Sequence, residues 1–126
     1  MSNDGAIARR GLIGGAIGLG LLASAGHAAA TGVSPYGLIG RMRAVPGQRD
    51  ALMAILKAGT AAMPGCIAYL VNPDPVDADA IWITEVWRDK ASHDASLALP
   101  AVREAIRQGR PLIAGFDLSL EAAPKP

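Results

Sequence analysis

The segment Ile81–Trp87, IWITEVW, constrains this chain more than any other. β-Branched and aromatic residues fill it, the composition of a strand. Its apolar residues fall on both parities: Ile81 and Ile83 point one way, Trp82 and Val86 the other. Such a strand does not suit a sheet with one wet face. Both faces need cover, one from the chain's own helices and the other from a second layer.

The remaining elements supply the first cover but not the second. Tyr36–Ala44 reads as a strand, with Tyr36, Leu38, Gly40 and Met42 on one parity and Ile39, Arg41 and Arg43 on the other. Pro46-Gly47 marks a turn. Arg49–Met63 reads as a helix, with Leu52, Ile55, Leu56 and Met63 at helical spacing, stopped by Pro64-Gly65. Cys66–Val71 reads as a well-buried strand, followed by a loop of prolines and aspartates. Asp89 suits the N-cap of a short helix from Lys90 to about Leu97, and Pro100 suits the first turn of the next. Gly109–Gly115 reads as a loop. Phe116–Ala122 alternates, which places Phe116, Leu118 and Leu120 on one face and Asp117, Ser119 and Glu121 on the other.

The order is therefore β-α-β-β-α-β, with the second helical region broken at Pro100. This is the ferredoxin-like α+β plan: a four-stranded antiparallel sheet with helices on one face. The uncovered face calls for a second copy of the chain, so a homodimer is expected.

The first thirty residues read differently. Arg9-Arg10 precedes a glycine-rich apolar stretch, Gly11–Gly26, and Ala28-Ala29-Ala30 offers a small-residue cleavage site. A basic segment, a short apolar segment and small residues in that order describe a signal peptide, and the paired arginines point to the twin-arginine route. The apolar stretch falls short of the ~20 residues that a spanning helix needs. The expectation is a cleaved signal over 1–30, a periplasmic or secreted location and one domain over 31–126, with its core at about 36–122. A retained membrane anchor is the alternative.

Composition narrows the function. Aromatic residues make up 4% of the chain and the formal net charge is +1, too little of either for a nucleic-acid surface. Cys66 is the only cysteine, which excludes an intrachain disulfide and a cysteine-based zinc site. Beyond residue 30 a single histidine remains, His93.

Three segments carry a likeness: Tyr36-Gly-Leu-Ile with Val45-Pro-Gly, Met63-Pro-Gly-Cys-Ile-Ala-Tyr69, and Ile83-Thr-Glu-Val-Trp87-Arg-Asp-Lys. Over about residues 36–120 the chain resembles the antibiotic-biosynthesis monooxygenase domain family, in particular its small quinol monooxygenases. The resemblance implies a dimeric α+β barrel. It also implies oxygenation of an electron-rich phenol or quinol by dioxygen without metal, flavin or other cofactor. A haem-degrading branch of the superfamily places Asn, Trp and His at positions that fall near Gly40, Ser96 and Ile106 here, and none of these matches.

Such chemistry needs a base, a polar group for developing charge and a dry aromatic-lined cavity. His93 is the candidate base, because imidazole ordinarily titrates near neutrality. The bland reading is a helix-surface histidine beside Asp94. Glu85 is the second candidate catalytic group: it either contacts substrate or His93, or forms a structural ion pair with Arg41, Arg43 or Arg88. Trp87, Tyr69 and Trp82 are the candidate substrate-binding residues. Trp87 and Trp82 lie on opposite faces of one strand, so one lines the cavity under the helices and the other packs at the dimer sheet. Tyr69 reads first as a core tyrosine that could also donate a hydrogen bond into the cavity, and Cys66 as a small core hydrophobe. Two rival readings stand beside the oxygenase: a non-catalytic dimer that binds a small apolar ligand, and an isomerase-like activity on the same fold.

Overall fold

The computed structural model describes residues 34–124. The signal-peptide expectation falls on residues outside that range. The described chain runs β1 (Tyr36–Ala44), α1 (Arg49–Gly59), β2 (Cys66–Pro73), β3 (Ala80–Trp87), α2 (Lys90–Ser96), α3 (Pro100–Gly109) and β4 (Ile113–Ala122). A single 3-10 turn, Arg110–Leu112, joins α3 to β4. The four strands form one antiparallel sheet in the order β2-β3-β1-β4, which is the expected ferredoxin-like α+β fold.

Register explains the two faces. Tyr36, Leu38, Gly40 and Met42 of β1 stand opposite Trp87, Glu85, Ile83 and Ile81 of β3. Together they make the face under the helices. There Met42, Leu52, Val71, Ile81 and Ile83 form one buried cluster, and Tyr36, Met63, Trp87 and Val102 a second. Tyr69 packs against both. The opposite face carries Ile39, Arg41 and Arg43 of β1 beside Trp82, Thr84 and Val86 of β3.

The local reasons for these elements are visible. The Asp89 side chain accepts the Ser92 N–H at 2.8 Å and caps α2, as its position suggested. Pro100 opens α3, where its missing N–H costs nothing. Gly65 turns the chain into β2 at φ +82°, and a Cβ there would stand 2.4 Å from the Ser92 hydroxyl. That close approach holds the start of α2 against the entry to β2.

Four details depart from the sequence reading. The helix expected to reach Met63 ends at Gly59. Thr60 turns both its N–H and its hydroxyl back to the Leu56 carbonyl, and the chain then leaves the helix axis so that Met63 enters the second cluster. At Gly59 the helices α1 and α3 meet so closely that a Cβ would lie 2.3 Å from that of Ala105. Second, β2 is an edge strand rather than a well-buried one, and Ile67 and Leu70 are exposed. Third, β4 begins at Ile113, inside the expected loop. Fourth, β4 does not keep simple alternation. A register shift sets Leu118 opposite Arg41 but Phe116 opposite Met42, leaving Asp117 as the extra residue of a bulge. Phe116 therefore lies on the helix side, while Leu118 and Leu120 lie on the other. Asp117 joins them there and bonds both Arg41 and Arg43.

Candidate functional site

Four of the five candidate side chains converge on the helix side of the sheet. Glu85 and Trp87 stand two residues apart on one face of β3, and Tyr69 of β2 lies directly opposite Glu85. The capped helix α2 leaves β3 within three residues and brings His93 back over Trp87. The His93 ring meets the Trp87 indole edge-on, with centroids 5.4 Å apart, and the Tyr36 ring at 5.1 Å. Trp87 is fully buried, and the His93 side chain is 16% exposed.

Hydrogen bonds orient the group. The Trp87 indole N–H donates to Glu85 Oε2 at 2.9 Å, and His93 Nε2 lies 3.9 Å from the same oxygen. On the other side of the imidazole, Nδ1 lies 3.1 Å from Asp94 Oδ1. The His93 contact, and then Lys90, which also bonds Asp94, hold the Asp94 carboxyl below its ordinary range, hence ionised. An ionised carboxylate only accepts, so it selects the tautomer with the proton on Nδ1. The Nε2 lone pair then faces Glu85 and the interior. Behind it, the buried Ser96 hydroxyl donates to the His93 carbonyl at 2.6 Å and ties down the last turn of α2.

Among the described residues Glu85 has no arginine partner. Arg41 and Arg43 lie on the other face of the sheet, so the expected ion pair with either is not formed, and Arg88 bonds Asp89 and Ser92 instead. Burial raises the Glu85 carboxyl above its ordinary range, while the Trp87 hydrogen bond and His93 partly oppose the shift. Burial also raises the Tyr69 phenol and the half-buried Cys66 thiol, and the Glu85 charge adds to both. Neither is a ready nucleophile or base.

These side chains border a cavity of about 150 Å³, walled by Leu56, Met63, Tyr69, Glu85, Trp87 and His93 and closed by α3 at Val102 and Ala105. Leu97 and Ile106, both part-exposed, also line it and mark its mouth. A dry apolar cavity of roughly this volume is enough for a benzene-sized ring. Among the described residues no three histidine, cysteine or carboxylate side chains gather in a metal-holding group.

Trp82 does not join the cavity. It sits on the opposite face, donates its indole N–H to Asp74 Oδ2 at 2.8 Å and lies under the Arg41 guanidinium. Tyr36, in contrast, was not singled out for the site. Its place opposite Trp87 follows only once β1 and β3 are paired, and its hydroxyl donates to Glu121 Oε2 of β4 at 3.1 Å.

The described residues thus define a ferredoxin-like α+β domain with an imidazole, a carboxylate and aromatic rings gathered around a small cavity on its helix side. The family is shown by comparison. Residues 35–108 match the family model for antibiotic biosynthesis monooxygenase, and the chain belongs to that family. It is 61% identical to a protein of known structure from Chloroflexus aurantiacus J-10-fl, named a "putative Antibiotic biosynthesis monooxygenase". That match covers 74% of this chain and 95% of that one, with a TM-score of 0.73. A Mycobacterium tuberculosis structure is 26% identical over 74% of this chain and 97% of its own, with a TM-score of 0.63. A Caulobacter crescentus CB15 structure at 12% identity shares the fold alone, with a TM-score of 0.68 over 80% of this chain and 99% of that one. No curated protein matches the chain.

Proposed function

We propose that the chain is a monooxygenase that oxidises a quinol or small phenol with dioxygen in the His93 cavity, the substrate itself serving as reductant. One observation carries the reading: a buried carboxylate, an indole and an oriented imidazole share one wall of a ring-sized apolar cavity. His93 Nε2 accepts the proton of a ring hydroxyl and leaves an electron-rich phenolate. The imidazolium so formed lies 3.9 Å from Glu85, whose charge stabilises it. Trp87 and Tyr69 hold the ring, and the apolar walls exclude water from the oxygenated intermediate. The stoichiometry closes without a further reductant. One hydroquinone and one dioxygen give one hydroxyquinone and one water, so one oxygen atom enters the ring and the other leaves as water.

Oxygen uptake with a panel of hydroquinones, in buffer freed of metals, tests the reading. Saturable uptake that scales with protein supports it. Binding without uptake would favour the rival, a non-catalytic ligand-binding protein of the same fold.

The same proposal extends to assembly and location. A homodimer through the open sheet face accounts for Leu70 and Leu120, exposed there beside the partly covered Trp82 and Val86. A single-chain mass by light scattering at micromolar concentration would contradict it. Export is supported by Arg9-Arg10 and the apolar stretch after it. Replacing both arginines by lysine is expected to trap the precursor inside the cell.

A further inference from the structure

We propose that the ring cavity continues into an apolar cleft along β4, and that the cleft takes an alkyl or prenyl-type chain carried by the substrate ring. The inference rests on the oxygenase reading only for the identity of the ring; the cleft itself is a separate observation.

The cleft has a volume of about 400 Å³ and lies between the helix pair α1 and α3 and the first residues of β4. Leu52, Leu56, Ala105, Ile106, Ile113 and Phe116 line it. Arg110 is the one ionisable side chain among its described lining residues. Three of these residues, Leu56, Ala105 and Ile106, also wall the His93 cavity. The two spaces are thus neighbours on the same side of the sheet, with these apolar side chains along their shared border.

The strand register shows what lies beneath that border. Three successive cross-strand rows cross the helix face: Glu85–Leu38–Glu121, then Ile83–Gly40–Ser119, then Ile81–Met42–Phe116. Glu85 of the first row lines the ring cavity, and Phe116 of the third lines the cleft. The row between them has no side chain at Gly40 and a short one at Ser119. A Cβ built on Gly40 would meet only the Leu118 carbonyl, at 3.6 Å, so the position is open rather than crowded. On β1 and β4 the sheet floor is therefore low in this middle row, between Glu85 of the ring cavity and Phe116 of the cleft. From Leu38 to Met42 the distance is about 13 Å at ~3.3 Å per residue, the reach of a chain several carbons long.

Exposure points to the same occupant. Phe116 is 69% exposed, Leu97 51% and Ile106 41%. Large apolar side chains left open along one continuous path are a cost unless something apolar covers them. A partner protein would need only the outer cleft. The shared walls and the low floor lead inward to the ring, which is the geometry of one ligand spanning both spaces.

The test uses Trp87 fluorescence in the full-length protein, with Trp82→Phe so that Trp87 is the sole indole. Under anaerobic conditions 2-alkylhydroquinones from methyl to heptyl are titrated. Affinity is expected to rise about fourfold per added methylene, the usual gain for burying that group. Gly40→Ile raises the floor and is expected to flatten this dependence. Ser119→Leu, an exposed position on the same row, is the second variant should the first fail to fold. A flat series in the parent protein would overturn the proposal, and is the result expected if a second copy or another protein covers the cleft. A rising series that persists in both variants would also overturn it, since the chains would then bind elsewhere. Oxygen uptake separates the two readings. Chain-length dependence without uptake upholds the cleft and removes the oxygenase, whereas uptake without chain-length dependence does the reverse.

Discussion

Each face of the sheet holds one tryptophan bonded to one carboxylate, and the two pairs behave in opposite ways. On the helix face the Trp87 indole donates to Glu85 at 2.9 Å; on the open face the Trp82 indole donates to Asp74 at 2.8 Å. Burial raises the Glu85 carboxyl, whereas Asp74 is held far below the ordinary carboxylate range. The difference lies in the other partners. Asp74 accepts the backbone N–H groups of Asp77 and Val76, then the indole, then Arg41. Arg41 in turn bonds Asp117, which also takes Arg43. Every lone pair of Asp74 is satisfied and its charge is matched. Glu85 has the indole and an imidazole at 3.9 Å, and little else. A saturated carboxylate fixes a loop to a strand. A carboxylate with fewer hydrogen-bond partners beside an apolar cavity has capacity left for a ligand.

This contrast sets the scale of each expected effect. The largest belongs to His93. If its Nε2 is the base, His93→Ala lowers turnover of a hydroquinone by roughly a hundredfold or more, the scale for removing a positioned acid–base group. Parental turnover in that variant would leave the imidazole as packing between Tyr36 and Trp87. Next comes Asp74→Asn, which leaves Arg41 facing a neutral amide. Because the folded state binds the Asp74 proton less tightly than the unfolded chain, its contribution is present above the ordinary aspartate range and lost as the pH falls below it. Thermal unfolding should show Asp74→Asn well below the parent at neutral pH, with the gap closing in acid. A gap of constant size would show that the charge is immaterial.

Glu85→Gln is expected to act in the other direction and more weakly. The folded protein binds the Glu85 proton more tightly than the unfolded chain does. Stability therefore falls as the pH rises from the ordinary glutamate range through the raised value. The glutamine keeps an acceptor for the Trp87 indole and removes the buried charge, so the variant should equal or exceed the parent in stability at neutral pH while losing turnover. A strongly destabilised variant would mean that Glu85 is structural, like Asp74. The smallest effect is expected from Trp82→Phe, which should alter hydroquinone affinity by no more than about twofold. A larger loss would place substrate on the open face.

Much of this was readable before the strands were paired. The element order, the Asp89 cap and the start of α3 at Pro100 rest on local chemistry, and local chemistry is what a sequence displays directly. The meeting of Tyr69, Glu85, Trp87 and His93 followed from strand parity and a short helix returning over its own strand. The unread parts depend on partners distant in sequence. Nothing near Cys66–Pro73 tells that β2 is an edge, because sheet order is set by which strands pair. The bulge at Asp117 answers two arginines on β1, more than seventy residues earlier. Glu85 was open to an arginine partner because parity within β3 does not reveal that Arg41 and Arg43 sit on the opposite face. Tyr36 enters the site only through its register with Trp87.

The central claim is that the His93 cavity directs one atom of dioxygen into an aromatic ring. Turnover of a hydroquinone under 18O-labelled dioxygen, with the product trapped by reduction and weighed by mass spectrometry, tests it most directly. The account predicts a ring product carrying one labelled oxygen atom, formed in proportion to protein and strongly diminished in His93→Ala. An unlabelled quinone with peroxide as the co-product, or a labelled product formed equally well by the His93→Ala variant, would contradict it.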